Sequence, residues 1–156
     1  MKSTGPARAI LWAGLLCGLL DIGFVIAYYG TTAGAPPTRI LQSVAAGLLG
    51  RQAATAGGVP TAALGLFLHF VISFGAAAVF YLASRRVRFL TRHALAAGVL
   101  YGAAVWLFMQ LVVLPLSAVP PARFPPPAPW PVIIAHLTCV GPPIALAVRR
   151  WGSPVR

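Results

Sequence analysis

Acidic side chains are all but missing. Of 156 residues one is acidic, Asp21, against twelve Lys and Arg, giving a formal net charge of +11. Charged residues of both signs make up only 8% of the chain, where soluble domains carry about a quarter. That scarcity excludes a surface that meets water on all sides, and the alternative solvent is lipid. Cysteine is nearly as rare. Cys17 and Cys139 both fall in apolar runs, and they show neither metal-ligand spacing nor a disulfide framework. Each reads as a small buried apolar residue. Nucleophile signatures are missing as well: Ser73 lies one turn from His69, but no acid-ordered triad and no oxyanion motif is legible. We therefore expect no enzyme. In a soluble chain such a basic excess would point to nucleic acid. Here the basic residues sit in short groups between apolar runs, and orientation in a membrane accounts for them.

What the chain has in plenty is apolar length, with 59% of its residues hydrophobic. Four runs, 9–29, 61–83, 93–116 and 130–148, each approach the roughly 20 residues that a hydrocarbon core of about 30 Å requires. Only helices satisfy their own backbone over such lengths in lipid. The expected fold is all-α, an integral membrane four-helix bundle forming a single transmembrane domain over 1–156. Lys2 and Arg8 before the first run, with Ala33-Gly34-Ala35 after it, resemble a signal peptide. The run is too long for a signal core, Pro36 would follow the cut, and Leu15-Leu16-Cys17 is a poor lipoprotein box, so we expect an uncleaved first span.

Nine basic residues, Lys2, Arg8, Arg85, Arg86, Arg88, Arg92, Arg149, Arg150 and Arg156, fall on one side of this topology. Three, Arg39, Arg51 and Arg123, fall on the other. The excess marks the cytoplasmic face and predicts that both termini lie there. His93, beside Arg92, reads as a snorkelling residue at the inner interface.

Between spans one and two, residues 36–52 carry Ile40, Leu41, Val44 and Leu48 at helical spacing, with Arg39, Gln42 and Ser43 elsewhere on the wheel. Pro37 and Thr38 can start a helix and Gly50 can end it. It is too short to span, so we expect a short amphipathic helix on or dipping into the outer surface. The loop 119–131 holds seven prolines and reads as a stiff, extended connector.

Counting helical rise from the outer interface places Asp21 and His69 each about 12 Å deep, and Gln110 and His136 roughly 6–9 Å deep. Each span thus contributes one polar residue to the outer half. A carboxylate in hydrocarbon costs several kcal/mol unless it is paired, hydrogen-bonded or protonated. We expect Asp21 to close a buried network with His69, supplemented by Gln110 and His136. Elsewhere the faces are small. Gly14 and Gly18 on span one and Gly98 and Gly102 on span three form small-xxx-small pairs that permit close helix contact. On span two Gly65, His69, Ser73 and Ala76 share one face.

The stretches ILQSVAAGLLG (40–50), LGLFLHFVISFGAA (64–77) and YGAAVWLFMQLVVLPLSA (101–118) resemble a group of small four-span bacterial inner-membrane proteins, the YagU-like membrane proteins. The resemblance implies a multi-pass inner-membrane location and implies no activity. Three functions remain open at this level. The chain is a non-catalytic subunit of a larger membrane complex or a homo-oligomer. It binds haem b through His69 and His136, with Gly65 and Gly141 leaving room for the macrocycle. Or it is a proton-linked transporter component using Asp21 and His69 as a relay.

Overall fold

A computed structural model of the chain describes residues 5–119 and 130–152. Helix α1 spans Pro6–Ala33, with proline in its first turn, where no amide donor is missed. It ends at Gly34, whose φ of 61° puts it in the left-handed region, and the N–H groups of Gly34 and Ala35 both donate to the Tyr29 carbonyl. Pro36 and Pro37 then separate α1 from α2, Pro37–Leu49. Gly50, at φ 79°, stops α2 as its sequence position suggests. A further short helix that the pattern does not announce, α3 over Arg51–Ala56, follows. Helix α4, Gly58–Ser84, runs to the basic turn that leads through the short α5, Phe89–Arg92, into α6, Ala94–Phe108. The fourth span comprises α7, Trp130–Ala135, a π turn, His136–Val140, and α8, Gly141–Trp151. The expected proline-rich connector falls mostly on 120–129, outside the described residues.

Among the described residues four helical segments are long and apolar enough to cross a membrane: Pro6–Ala33, Gly58–Ser84, Ala94–Val113 and Trp130–Trp151. They coincide with the four runs read from the sequence, and the chain is an all-α, multi-pass membrane protein. Its exterior agrees. Phe67, Leu82 and Leu100 are each about two-thirds exposed, at 64%, 65% and 65%, which suits side chains that face acyl tails rather than water.

The third and fourth spans each contain a π turn next to a proline. Leu114 N–H reaches back five residues to the Met109 carbonyl at 2.9 Å, and Gly141 N–H does the same to the His136 carbonyl. Each donor directly precedes a proline, Pro115 or Pro142. A proline offers no N–H, and its ring would press on the carbonyl four residues back. One extra residue in the turn relieves that clash.

Packing follows the small residues. Helix α8 lies against both α1 and α6, and α1 also lies against α4. Helices α4 and α6 pack on each other far less and meet through Tyr101, whose hydroxyl donates to the Ala76 carbonyl at 2.7 Å and whose ring abuts Phe80. The half of the bundle remote from α2 is filled by Ala9, Ala13, Phe80, Ala97, Ile144 and Val148 with their neighbours. Trp12 stacks on Trp151 at its edge, ring centroids 5.5 Å apart.

The four glycines singled out in the sequence sit in two different kinds of contact. A Cβ on Gly98 would meet Pro142 Cα at 2.7 Å, and one on Gly102 would run into the His136 carbonyl. Gly141 answers from the other side, where a Cβ would strike the Gly98 carbonyl and the Gly102 amide. Spans three and four thus touch backbone to backbone. Gly14 and Gly18 do not join that contact; they accommodate the Phe74 and Phe70 rings of α4.

Helix α2 is fixed to α4 more firmly than a surface helix requires. Gly65 of α4 takes the Leu41 carbonyl against its Cα. Gln42, which the helical wheel assigns to the polar face, is instead buried at 7% exposure. Its amide donates to the Gly58 carbonyl at 2.9 Å, beside Thr61, whose own hydroxyl donates to the Ala54 carbonyl at 2.6 Å. The wheel fails there because Gln42 faces protein, the α3–α4 corner, rather than the membrane surface.

Candidate functional site

Beside α2 the bundle is hollow. A cavity of about 560 Å³ lies between all four spans and α2. Helix α1 supplies Cys17, Asp21, Val25 and Tyr29, spaced four residues apart on one face. Helix α4 supplies His69, Ser73 and Ala76, and the π turns contribute their first residues, Met109 and His136. Arg39, Ile40 and Ser43 of α2 form the remaining wall. Most of the lining is apolar. Ile72, which is 39% exposed on α4, and Val105 on α6 place one border at the seam where those two helices stand apart.

Asp21, His69 and His136 therefore share one cavity. They do not form the expected hydrogen-bonded network. His69 Nε2 lies 2.9 Å from the Gly18 carbonyl and His136 Nδ1 lies 2.8 Å from the Val132 carbonyl. Asp21 Oδ1 is buried with no hydrogen-bond partner among the described residues. The reason is local supply. A carbonyl one turn away on its own helix serves His136, and the carbonyl of Gly18, with no side chain to shield it, serves His69. Gln110 is not brought to the site: it is half-buried in the π turn while its neighbour Met109 takes the lining position.

These bonds set the chemistry of the cavity. A carbonyl only accepts, so His69 carries its hydrogen on Nε2 and His136 on Nδ1. In the neutral rings the other nitrogen of each, Nδ1 of His69 and Nε2 of His136, is an acceptor. The serine hydroxyls are spent locally, Ser73 on the His69 carbonyl at 2.9 Å and Ser43 on the Ile40 carbonyl at 2.6 Å. At depth the site is rich in acceptors and short of donors. Arg39, exposed on α2, is the cation on its wall.

Haem does not fit this arrangement. His69 offers Nε2 to Gly18 rather than to the cavity. The room expected beside Gly65 and Gly141 is filled by the backbones of α2 and α6. Among the described residues no three of His, Cys, Asp and Glu are grouped to hold a metal ion.

Sequence reasoning passed over Cys17, Tyr29, Arg39 and Ser43 as lining residues. The repeat of four that links Cys17, Asp21, Val25 and Tyr29 was a legible signal for the first two. Nothing local marks the α2 wall, because its approach depends on Gly65 two elements away. Compared with family models, curated proteins and solved structures, the chain matches none.

Proposed function

We propose that this chain is a non-catalytic multi-pass protein of the bacterial inner membrane, with both termini in the cytoplasm, that holds a small, largely apolar molecule in the cavity beside α2. The observation that carries this is a buried carboxyl oxygen, Asp21 Oδ1, left without a hydrogen-bond partner in a cavity of about 560 Å³. Small-molecule sites occupy about 300–1,000 Å³ and combine apolar walls with a few convergent polar groups. The separated seam of α4 and α6 offers a route from lipid for an apolar guest. Binding without chemistry is favoured because Ser73 is tied to a backbone carbonyl rather than to an imidazole, so it is not an activated nucleophile. The inner-membrane location rests on the resemblance to YagU-like proteins, and the orientation rests on the nine-to-three division of basic residues. A reporter fused after Arg156 is expected to read cytoplasmic, and an external reading would reverse the topology.

The binding function is tested by filling the cavity. Ala76 lines it beside Ser73, so Ala76→Leu takes up space without adding polarity. Native mass spectrometry from mild detergent is expected to show a copurifying small molecule on the wild-type protein and none on the variant. A ligand at 100 times its Kd stabilises by about 2.7 kcal/mol, so thermal unfolding should respond to added ligand in the wild type alone. Equal responses in both proteins would remove the cavity as the binding site.

A further inference from the structure

Granting the cavity as a binding site, its polar groups also select the occupant, and we infer that it takes a hydrophobic amine, bound as the ammonium with its N–H groups on Asp21. The inference rests on the proposed binding function and narrows it to one ligand class.

Three observations converge. Asp21 Oδ1 is buried and has no donor among the described residues, although a buried acceptor left unmade is destabilising, and more so when charged. Three donors that line the cavity are committed elsewhere: His69 Nε2–H to Gly18, His136 Nδ1–H to Val132 and Ser73 to the His69 carbonyl. The Cys17 thiol, one turn from Asp21 on α1, is only a weak donor. The free ring nitrogens are acceptors as well. A guest must therefore bring donors to the deep end, and an ammonium brings up to three with a charge that complements the carboxylate. Charge-assisted bonds of that kind are roughly twice as strong as neutral ones, and they gain further where water is excluded.

The remaining walls suit the rest of such a molecule. Val25, Ile40, Ile72 and Val105 present an apolar surface to a hydrocarbon or aromatic body. Tyr29, lining the cavity two turns from Asp21 along α1, adds an aromatic face for the body of the molecule. The competing guest is an apolar carboxylate held by Arg39. Its anion would place charge beside Asp21 while leaving the unpartnered oxygen without a donor, and Arg39 is an exposed residue of α2 rather than a buried one.

Three probes of one shape separate these cases: 2-naphthylmethylamine, 2-naphthylmethanol and 2-naphthoic acid. Each is measured by equilibrium dialysis against the full chain in mild non-ionic detergent at pH 7, with wild type, Asp21→Asn and Ala76→Leu. Asparagine keeps the shape of the side chain, and retained binding of the neutral alcohol reports that the variant is folded. We expect the amine to bind wild type at least tenfold tighter than the alcohol, and the acid to bind weakest. In Asp21→Asn the amine should fall to the level of the alcohol, which still binds. In Ala76→Leu all three should weaken together. If amine and alcohol bind alike and Asp21→Asn changes neither, the amine assignment is overturned while the cavity remains a binding site. Tighter binding of the acid overturns it in favour of an Arg39 site. If no probe binds wild type above the detergent background, both the amine assignment and the binding function fall.

Discussion

Gly102→Leu and Gly141→Leu are expected to leave no folded protein in mild detergent, whereas Gly14→Ala should remain folded at reduced stability. The difference lies in what each new side chain meets. At Gly102 the first carbon would collide with the His136 carbonyl, and at Gly141 with the Gly98 carbonyl and the Gly102 amide. A helix backbone cannot yield without moving its whole span, and these two spans share both contacts. Even Gly102→Ala should exceed the usual overpacking cost of about 1–3 kcal/mol. At Gly14 the neighbour is the Phe74 ring, which can turn about its own side-chain bonds, so Gly14→Ala belongs inside that range. Size-exclusion profile and thermal midpoint in detergent check both statements. If Gly102→Ala and Gly14→Ala prove equally mild, spans three and four do not touch through their backbones, and the π turn of span four must sit differently.

That contrast also shows how far the sequence could be read. The four spans were legible because lipid imposes length and apolarity on every crossing segment, whatever its neighbours. Gly50 as the end of α2 was legible because a left-handed residue is a local requirement. Which surfaces the glycines meet was not, since a small-xxx-small pair states only that something comes close. Gly98 faces the Gly-Pro-Pro segment and Gly102 the His136 carbonyl, whereas Gly14 and Gly18 face two phenylalanines. The π turns had a visible cause in Pro115, Pro142 and Pro143. Their effect on the span had no such mark, whereas Met109 lines the cavity at ordinary helical spacing from Val105 and Gln110 does not. Asp21 and His69 were expected at one depth, with His136 nearer the outer interface, and all three line one cavity. Their bonding was not legible. Whether a histidine reaches a carboxylate or a backbone carbonyl depends on fractions of a turn that sequence spacing does not fix.

The bonding reverses what loss of Asp21 should do. Were its carboxyl bonded to His69, replacing it would orphan a partner and destabilise the fold. With Oδ1 buried and unpartnered, Asp21→Leu instead removes an unmet acceptor worth about 1–3 kcal/mol and puts apolar atoms into an apolar wall. We expect Asp21→Leu to unfold at a higher temperature than wild type when both are freed of copurifying ligand. Asp21→Asn, which keeps a polar group in place, should stay close to wild type. Adding 2-naphthylmethylamine should then stabilise the wild type and leave Asp21→Leu unmoved. A chain that keeps its single acid where it weakens the fold, and where a ligand can use it, holds that residue for binding. Thermal unfolding of the three proteins, with and without the amine, reads the sign directly. A destabilised Asp21→Leu would mean that the carboxyl is bonded after all, through water or to a ring nitrogen, and that Asp21 serves the fold.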